Sequence, residues 1–272
     1  MLRIETKEGW TLIEHREHAR LAGDFARHWG NETFGRPEPF DGIHVAVSRH
    51  DDAWAERDAA PCLTREGRPS AFSEALVGRY ASFEEIDLLE YLTVRGRATE
   101  AVAMDNPYAA IIVSMHTVNL LTEQADLRGL SGREREAHAQ FIEEQQTRQR
   151  QLARAVENLP GGSAAVMPEA LARAFEFLQA CDHLSLLACV GFARPAVLRH
   201  LHPSHNGGRV KLECVPLGNN IFRVNPYPFD CDELRCVVPC RDVPGRIFQD
   251  QEAFRAAVRT APSRDLAICI VR

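Results

Sequence analysis

Four segments of the chain each set an imidazole or a carboxylate in the middle of an apolar stripe, and holding a metal ion is the chemistry those groups would do together. Each residue advances about 100° around a helix, so positions i, i+3, i+4 and i+7 share a face. On that spacing Ala22, Phe25 and Trp29 share the side of His18, while Arg16, Arg20 and Arg27 fall opposite. Ile43, Ala46, Val47 and Trp54 share the face of His50, with Asp51 one step round. Ala109, Ile112, Val113 and Leu120 share the face of His116, and Leu171, Phe175, Leu178 and Leu186 that of Asp182.

A carboxylate on a buried face must find a counter-charge, or else take up a proton or destabilise the fold. A cationic side chain or a metal would serve. A lone histidine on an apolar face is usually satisfied by a backbone carbonyl, and a lone buried aspartate by a cap or an ion pair. The coincidence of four such positions favours the metal. Neutral imidazole and carboxylate suit a divalent transition metal (Mn, Fe, Ni, Co or Zn), as one ion or two.

The elements that must position these groups are mostly helices. LRIET and WTLIE flank a KEG turn and predict a hairpin over residues 1–13. Helices are expected over about 14–29 and 41–57, and the pattern stays helical from about 69 to 190. The loop 59–72, rich in Gly and Pro, follows the His50–Asp51 segment and is placed to cover a site there. Trp29 and Trp54 are candidates to wall it, although both suit a plain core. After HPSHNGGR the texture changes to short strand-like runs, ending in LAICIV. The fold expected is therefore mainly α, with a helical domain over 14–205 and a small β-rich (α+β) unit from the chain ends, residues 1–13 and 206–272.

The net charge of -6 disfavours a general nucleic-acid-binding role, which wants a basic excess. MLRIETKEGW lacks the apolar run of a secretory signal and no stretch is long enough to span a bilayer, so a cytoplasmic protein is expected. The 8 cysteines do not read as a disulfide framework: Cys181 and Cys189 lie in an apolar helix. Cys231, Cys236 and Cys240 lack both zinc-ribbon spacing and a nearby histidine.

An isolated His18 in HREHARLAGDFARHWG, a His50–Asp51 doublet in SRHDDAW and a closing Asp182 in LQACDHLSL resemble the HD-domain superfamily over residues 14 to about 190. His116, in SMHTVNL, falls where binuclear members supply further histidines. His138 lies in a charged run that suits a surface, so only one such histidine is found. The resemblance implies an HD-domain-like helical bundle and metal ligands His18, His50, Asp51, His116 and Asp182. Within it Asp51 orients the attacking water or bridges two ions, and His116 holds a second ion or donates to a phosphoryl oxygen. Arg49, Arg68 and His183 are candidates to bind substrate, with Arg65 and His15 as weaker ones. The whole chain also resembles an uncharacterised bacterial family through HA-x-LAG-x-x-A-x-x-WG, HDDxW, Pro69–Phe72, LQ-x-x-D-x-LSL and PYPF.

The function expected is a metal-dependent phosphohydrolase acting on a small phosphoester or nucleotide. A di-iron oxygenase on the same scaffold and a non-catalytic metal-binding module are the alternatives. The partner expected is a small-molecule substrate, with neither nucleic acid nor membrane; a homodimer is left open.

Overall fold

The two ends of the chain meet in one sheet. The structure, a computed structural model, describes residues 1–77 and 87–272. Strands β1 (Leu2–Glu5) and β2 (Gly9–Ile13) form the expected hairpin. Helices follow as α1 (His15–His28), α2 (Phe40–Arg49), α3 (Ala55–Ala59), α4 (Leu88–Ala103), α5 (Pro107–Asn119), α6 (Gly132–Glu157), α7 (Gly162–Ala165) and α8 (Pro168–Cys189). The C-terminal part holds β3 (Ala196–Val197), β4 (His202–Pro203), β5 (Arg209–Val210), β6 (Glu213–Gly218), β7 (Ile221–Asn225), β8 (Glu233–Pro244), α9 (Gln251–Thr260) and β9 (Ser263–Val271).

The mainly-α expectation is corrected by this sheet. Seven strands join in the order β1-β2-β8-β9-β7-β6-β3, and β4 pairs with β5 apart from them. Only β7 and β9 run parallel; the other pairs are antiparallel, so the sheet is mixed and the fold is α+β. The sheet is no annex either. Leu2 and Ile13 of the hairpin, Val224, Ile268 and Ile270 of the sheet, and Leu21, Phe25 and Leu178 of the helices belong to one apolar cluster. Strands as short as β3 carry little periodicity of their own, and their partners are remote in sequence.

The expected helix over 41–57 breaks at the doublet. α2 stops at Arg49, His50 keeps helical dihedrals, and Asp51 leaves them at φ -115 and ψ 13 before a 3-10 turn over Asp52–Trp54. The expected helical run from 69 begins instead as extended chain. The Phe72 N–H donates to the Met1 carbonyl at 2.8–2.9 Å spacing with its reciprocal partner, Arg3 N–H to the Phe72 carbonyl, and a 3-10 turn covers Glu74–Leu76. The rest of that expected segment, residues 78–86, lies outside the described residues.

Local signals fix the ends of the site-bearing helices. Asp87 caps α4 by accepting from the Glu90 N–H, and Asn106 caps α5 by accepting from the Ala109 N–H, with Pro107 preset for the first turn. α1 packs on α2, α8 and β8. Its crossing with α2 is close because residue 23 is glycine: a Cβ there would lie 2.7 Å from the Ser48 Cβ. That approach brings the His18 and His50 rings to a centroid distance of 5.2 Å.

Candidate metal centre

His18, His50, Asp51, His116 and Asp182 converge in the interior, all at most 5% exposed. His18 comes from α1, His50 and Asp51 from the end of α2, His116 from α5 and Asp182 from α8. His18 Nε2 lies 3.1 Å from Asp51 Oδ2 and 3.9 Å from Asp182 Oδ1. His50 Nε2 lies 3.3 Å from Asp182 Oδ1 and 3.9 Å from Asp51 Oδ2. The His50 and His116 rings meet edge to face at 5.2 Å. The break after His50 matters here, because it turns Asp51 toward the same point as the ring before it.

Hydrogen bonds on the far side of the rings orient two of the imidazoles. His50 Nδ1 lies 2.8 Å from the Val47 carbonyl, so it carries the proton and Nε2 faces the cluster. The Ser185 hydroxyl donates to the Asp182 carbonyl at 2.8 Å, so at 2.9 Å it accepts from His18 Nδ1. His18 Nε2 then also faces inward. Outer partners of this kind set the tautomer of metal-binding histidines. Of the cluster's ring nitrogens, His116 Nδ1 is buried without a hydrogen-bond partner, and His50 Nε2 makes no hydrogen bond of good geometry but faces the Asp182 carboxylate at 3.3 Å. A buried ring nitrogen normally has a partner, so His116 Nδ1 calls for one.

The ligand atoms form two groups that share His50. His18, His50 and Asp51 each place one within 4.8 Å of the others, and so do His50, His116 and Asp182. His28, Asp230 and Cys231 make a third such group, but it is partly exposed and Asp230 there is ion-paired to His28 and Arg36. All eight cysteines are free, in keeping with the absence of a disulfide framework.

The cluster is strongly polarised. Burial opposes ionisation of Asp51, but Arg95 above all, then His50 and His18, hold it well below the usual carboxylate range. Burial likewise opposes ionisation of Asp182, and His50 outweighs it. Burial would lower the His50 pKa, yet the charges of Asp51 and Asp182 raise it to about 9. His116 is pushed down to about 3, chiefly by burial. At pH 7 the metal-free protein therefore holds a protonated His50 and a neutral His116. A metal needs neutral imidazole, so binding is expected to release about one proton, from His50. Titration calorimetry at pH 7 in buffers of different ionisation enthalpy measures that number; zero protons released would contradict this charge state.

A cavity opens beside the cluster, reached by His18, Asp51, His116 and Asp182 and walled by Trp54, Phe72 and Tyr91. His50 lies behind it, fully buried. Ser70, Ala71 and Phe72, the end of the loop expected as a cover, do line the cavity, whereas Trp29 lines a different one.

The three residues expected to bind substrate do not line it. Arg49 is spent on Asp52 at 2.8 Å and Asp105 at 2.7 Å. Arg68, like Arg65, is exposed on the loop. His183, one residue past Asp182, is turned about 100° away on the helix and is not among the residues that line the cavity. His138 lies outside the cavity as well, 3.0 Å from the Leu121 carbonyl.

Other groups line the cavity. Arg95 is 4% exposed, donates to Asp51 Oδ1 at 2.5 Å and holds the Tyr91 hydroxyl at 2.9 Å. The stripe test applied to α4 would have found it, since Leu88, Tyr91, Ala98 and Val102 share its face. Arg57 also lines the cavity, paired with Glu90 at 2.6 Å. His15 lines it too and is stacked on Trp54 at 4.5 Å. Its Nδ1 lies 3.0 Å from Asp58 Oδ1, and the α-amino group of Met1 lies 2.5 Å from the same oxygen and 2.7 Å from that nitrogen.

The fold and the cluster define an α+β protein with a buried His/Asp site able to hold a metal ion. Among the described residues no helix is long and apolar enough to cross a membrane. The chain belongs to the family described as protein of unknown function DUF3891, whose model matches residues 1–245. That span includes every residue of the cluster and agrees with the full-length resemblance carried by the sequence strings, but it assigns no activity. No curated protein and no solved structure matches the chain.

Proposed function

We propose that this protein is a metal-dependent phosphohydrolase acting on a small phosphoester or nucleotide. The observation that carries the reading is the orphaned, buried His116 Nδ1 beside the inward-facing His50 Nε2, set among ionised Asp51 and Asp182. Nitrogen and carboxylate donors of this kind fit Mn, Fe, Ni, Co or Zn. The order of His18, His50–Asp51 and Asp182 along the chain adds the HD-domain resemblance.

A divalent cation held by these residues supplies Lewis acidity and acidifies water. The protein's own groups do the rest. Arg95 fixes Asp51 by one oxygen and leaves Oδ2 toward His18. Arg57, on the cavity wall and paired with the exposed Glu90, is the cation placed for the charge-neutralising role expected of Arg49 or Arg68. Trp54, Phe72 and Tyr91 receive the organic part of the ester and keep water from it.

The test is metal analysis of the purified protein, followed by a phosphoester panel with and without added Mn or Ni. Hydrolysis that disappears in His50→Ala is the expected result. Bound iron with reduction-dependent oxygen uptake, and no hydrolysis, would replace this reading with the oxygenase. No metal above background would leave only a binding module.

A further inference from the structure

We propose that His15 is the general base of the reaction at the metal centre, with Asp58 as the residue that positions it. This rests on the phosphohydrolase reading and adds to it a pair of residues outside the metal-binding set.

Four observations carry it. First, His15 is one turn before His18 on α1, and side chains three apart on a helix are neighbours, about 5–6 Å between Cβ atoms. Both line the same cavity. Second, Asp58 is 2% exposed and takes two bonds from the same residue: the His15 backbone N–H at 2.6 Å and Nδ1 at 3.0 Å. Asp58 is held below the usual carboxylate range, so it only accepts from Nδ1. The Met1 α-amino group, whose pKa burial lowers, lies 2.7 Å from the same nitrogen and as the neutral amine accepts there too, which puts the His15 proton on Nδ1. Third, Trp54 stacks on the ring at 4.5 Å and fixes its plane. Fourth, among the described residues Nε2 of His15 has no hydrogen-bond partner, although Nδ1 has a full set. Burial lowers the His15 pKa to about 4, against the pull of Asp58, so the ring is neutral near pH 7 and Nε2 offers a lone pair. A carboxylate, an imidazole and a cavity in that order form the arrangement in which a histidine base is oriented by an acid.

The step balances without a further reagent. Water gives one proton to His15 Nε2 as its oxygen forms a bond to phosphorus. The bond from phosphorus to the ester oxygen breaks, and the departing oxygen takes a proton from solvent. His15 then returns its proton to solvent, and the net change is ester plus water to phosphate plus alcohol.

The experiment uses the metal-loaded full chain and p-nitrophenyl phosphate. His15→Asn keeps an amide N–H near the position of Nδ1 and so keeps the bond to Asp58, which guards against misfolding. It is expected to retain the metal content and melting temperature of the wild type and to lose about 100- to 10,000-fold in kcat. His15→Ala is expected to lose as much and to regain about tenfold or more when imidazole is added, a rescue that a merely structural histidine would not give. Activity in His15→Asn within about threefold of wild type, or a loss that only tracks lost metal, would overturn the assignment while leaving phosphoester hydrolysis intact. A failure of imidazole to restore His15→Ala would overturn it too. A wild type inactive on every phosphoester removes the underlying reading, and this one with it.

Discussion

Asp182→Ala is expected to weaken binding of Mn or Ni by more than about 100-fold, because loss of even an outer partner of a metal ligand costs 10–100-fold. In free energy that is roughly 2.7 kcal/mol or more. The helices should stay formed. Asp182 is flanked on α8 by Leu178, Cys181 and Leu184, all buried, and the mutation removes none of these contacts. Its carboxylate is also the nearest acidic group to His50, whose raised pKa depends on it and on Asp51. The variant's His50 should therefore titrate below about 9. Calorimetry for the metal, far-ultraviolet circular dichroism for the helices and NMR of the imidazoles read these separately. Collapse of the helical signal would mean that Asp182 serves the fold through its ion pairs, and the metal centre would lose its clearest ligand.

Arg95→Leu should be the most destabilising single change in the cluster. Arg95 and Asp51 are both nearly fully buried, and Arg95 also lies over the Trp54 and Tyr91 rings at 5.3 and 5.2 Å. Removing one partner of a buried pair leaves the other charge uncompensated and costs about 3–5 kcal/mol. Urea unfolding at pH 7 without metal measures it. Adding Asp51→Asn to the variant should restore most of the loss, since no carboxylate then remains unpaired. The pH sign follows from Asp51. Its folded pKa is lowered, so its contribution is present above the unfolded value of 3.8 and is lost as pH falls toward the folded one. The gap between wild type and Arg95→Leu should thus narrow below about pH 4. A deficit unchanged by Asp51→Asn would show that Arg95 acts through packing alone.

The local chain carries the helical part of this arrangement. Stripe positions marked His18, His50, His116 and Asp182 as inward-facing, because a helix repeats every 3.6 residues. All four are buried and fall in two adjoining groups that share His50. Asp51 was placed at the edge of a continuous helix; its true direction depends on the break after His50, which no propensity in SRHDDAW announces.

The partners of the cluster were left to the tertiary structure. Arg95 could have been read from its stripe, but that it meets Asp51, 44 residues away, could not. Proximity in sequence pointed to Arg49, Arg68 and His183, yet Arg49 finds acids at the surface and His183 faces off the cavity. The sheet was decided in the same way. A strand's hydrogen bonds all go to another strand, so its existence depends on a partner that the local chain does not contain. β2 pairs with β8 and β7 with β9, from opposite ends or opposite sides of a helix. Helical hydrogen bonds close within four residues and leave their trace in the local pattern, whereas sheet pairing and the aim of a polar side chain in a core are settled only when distant segments pack.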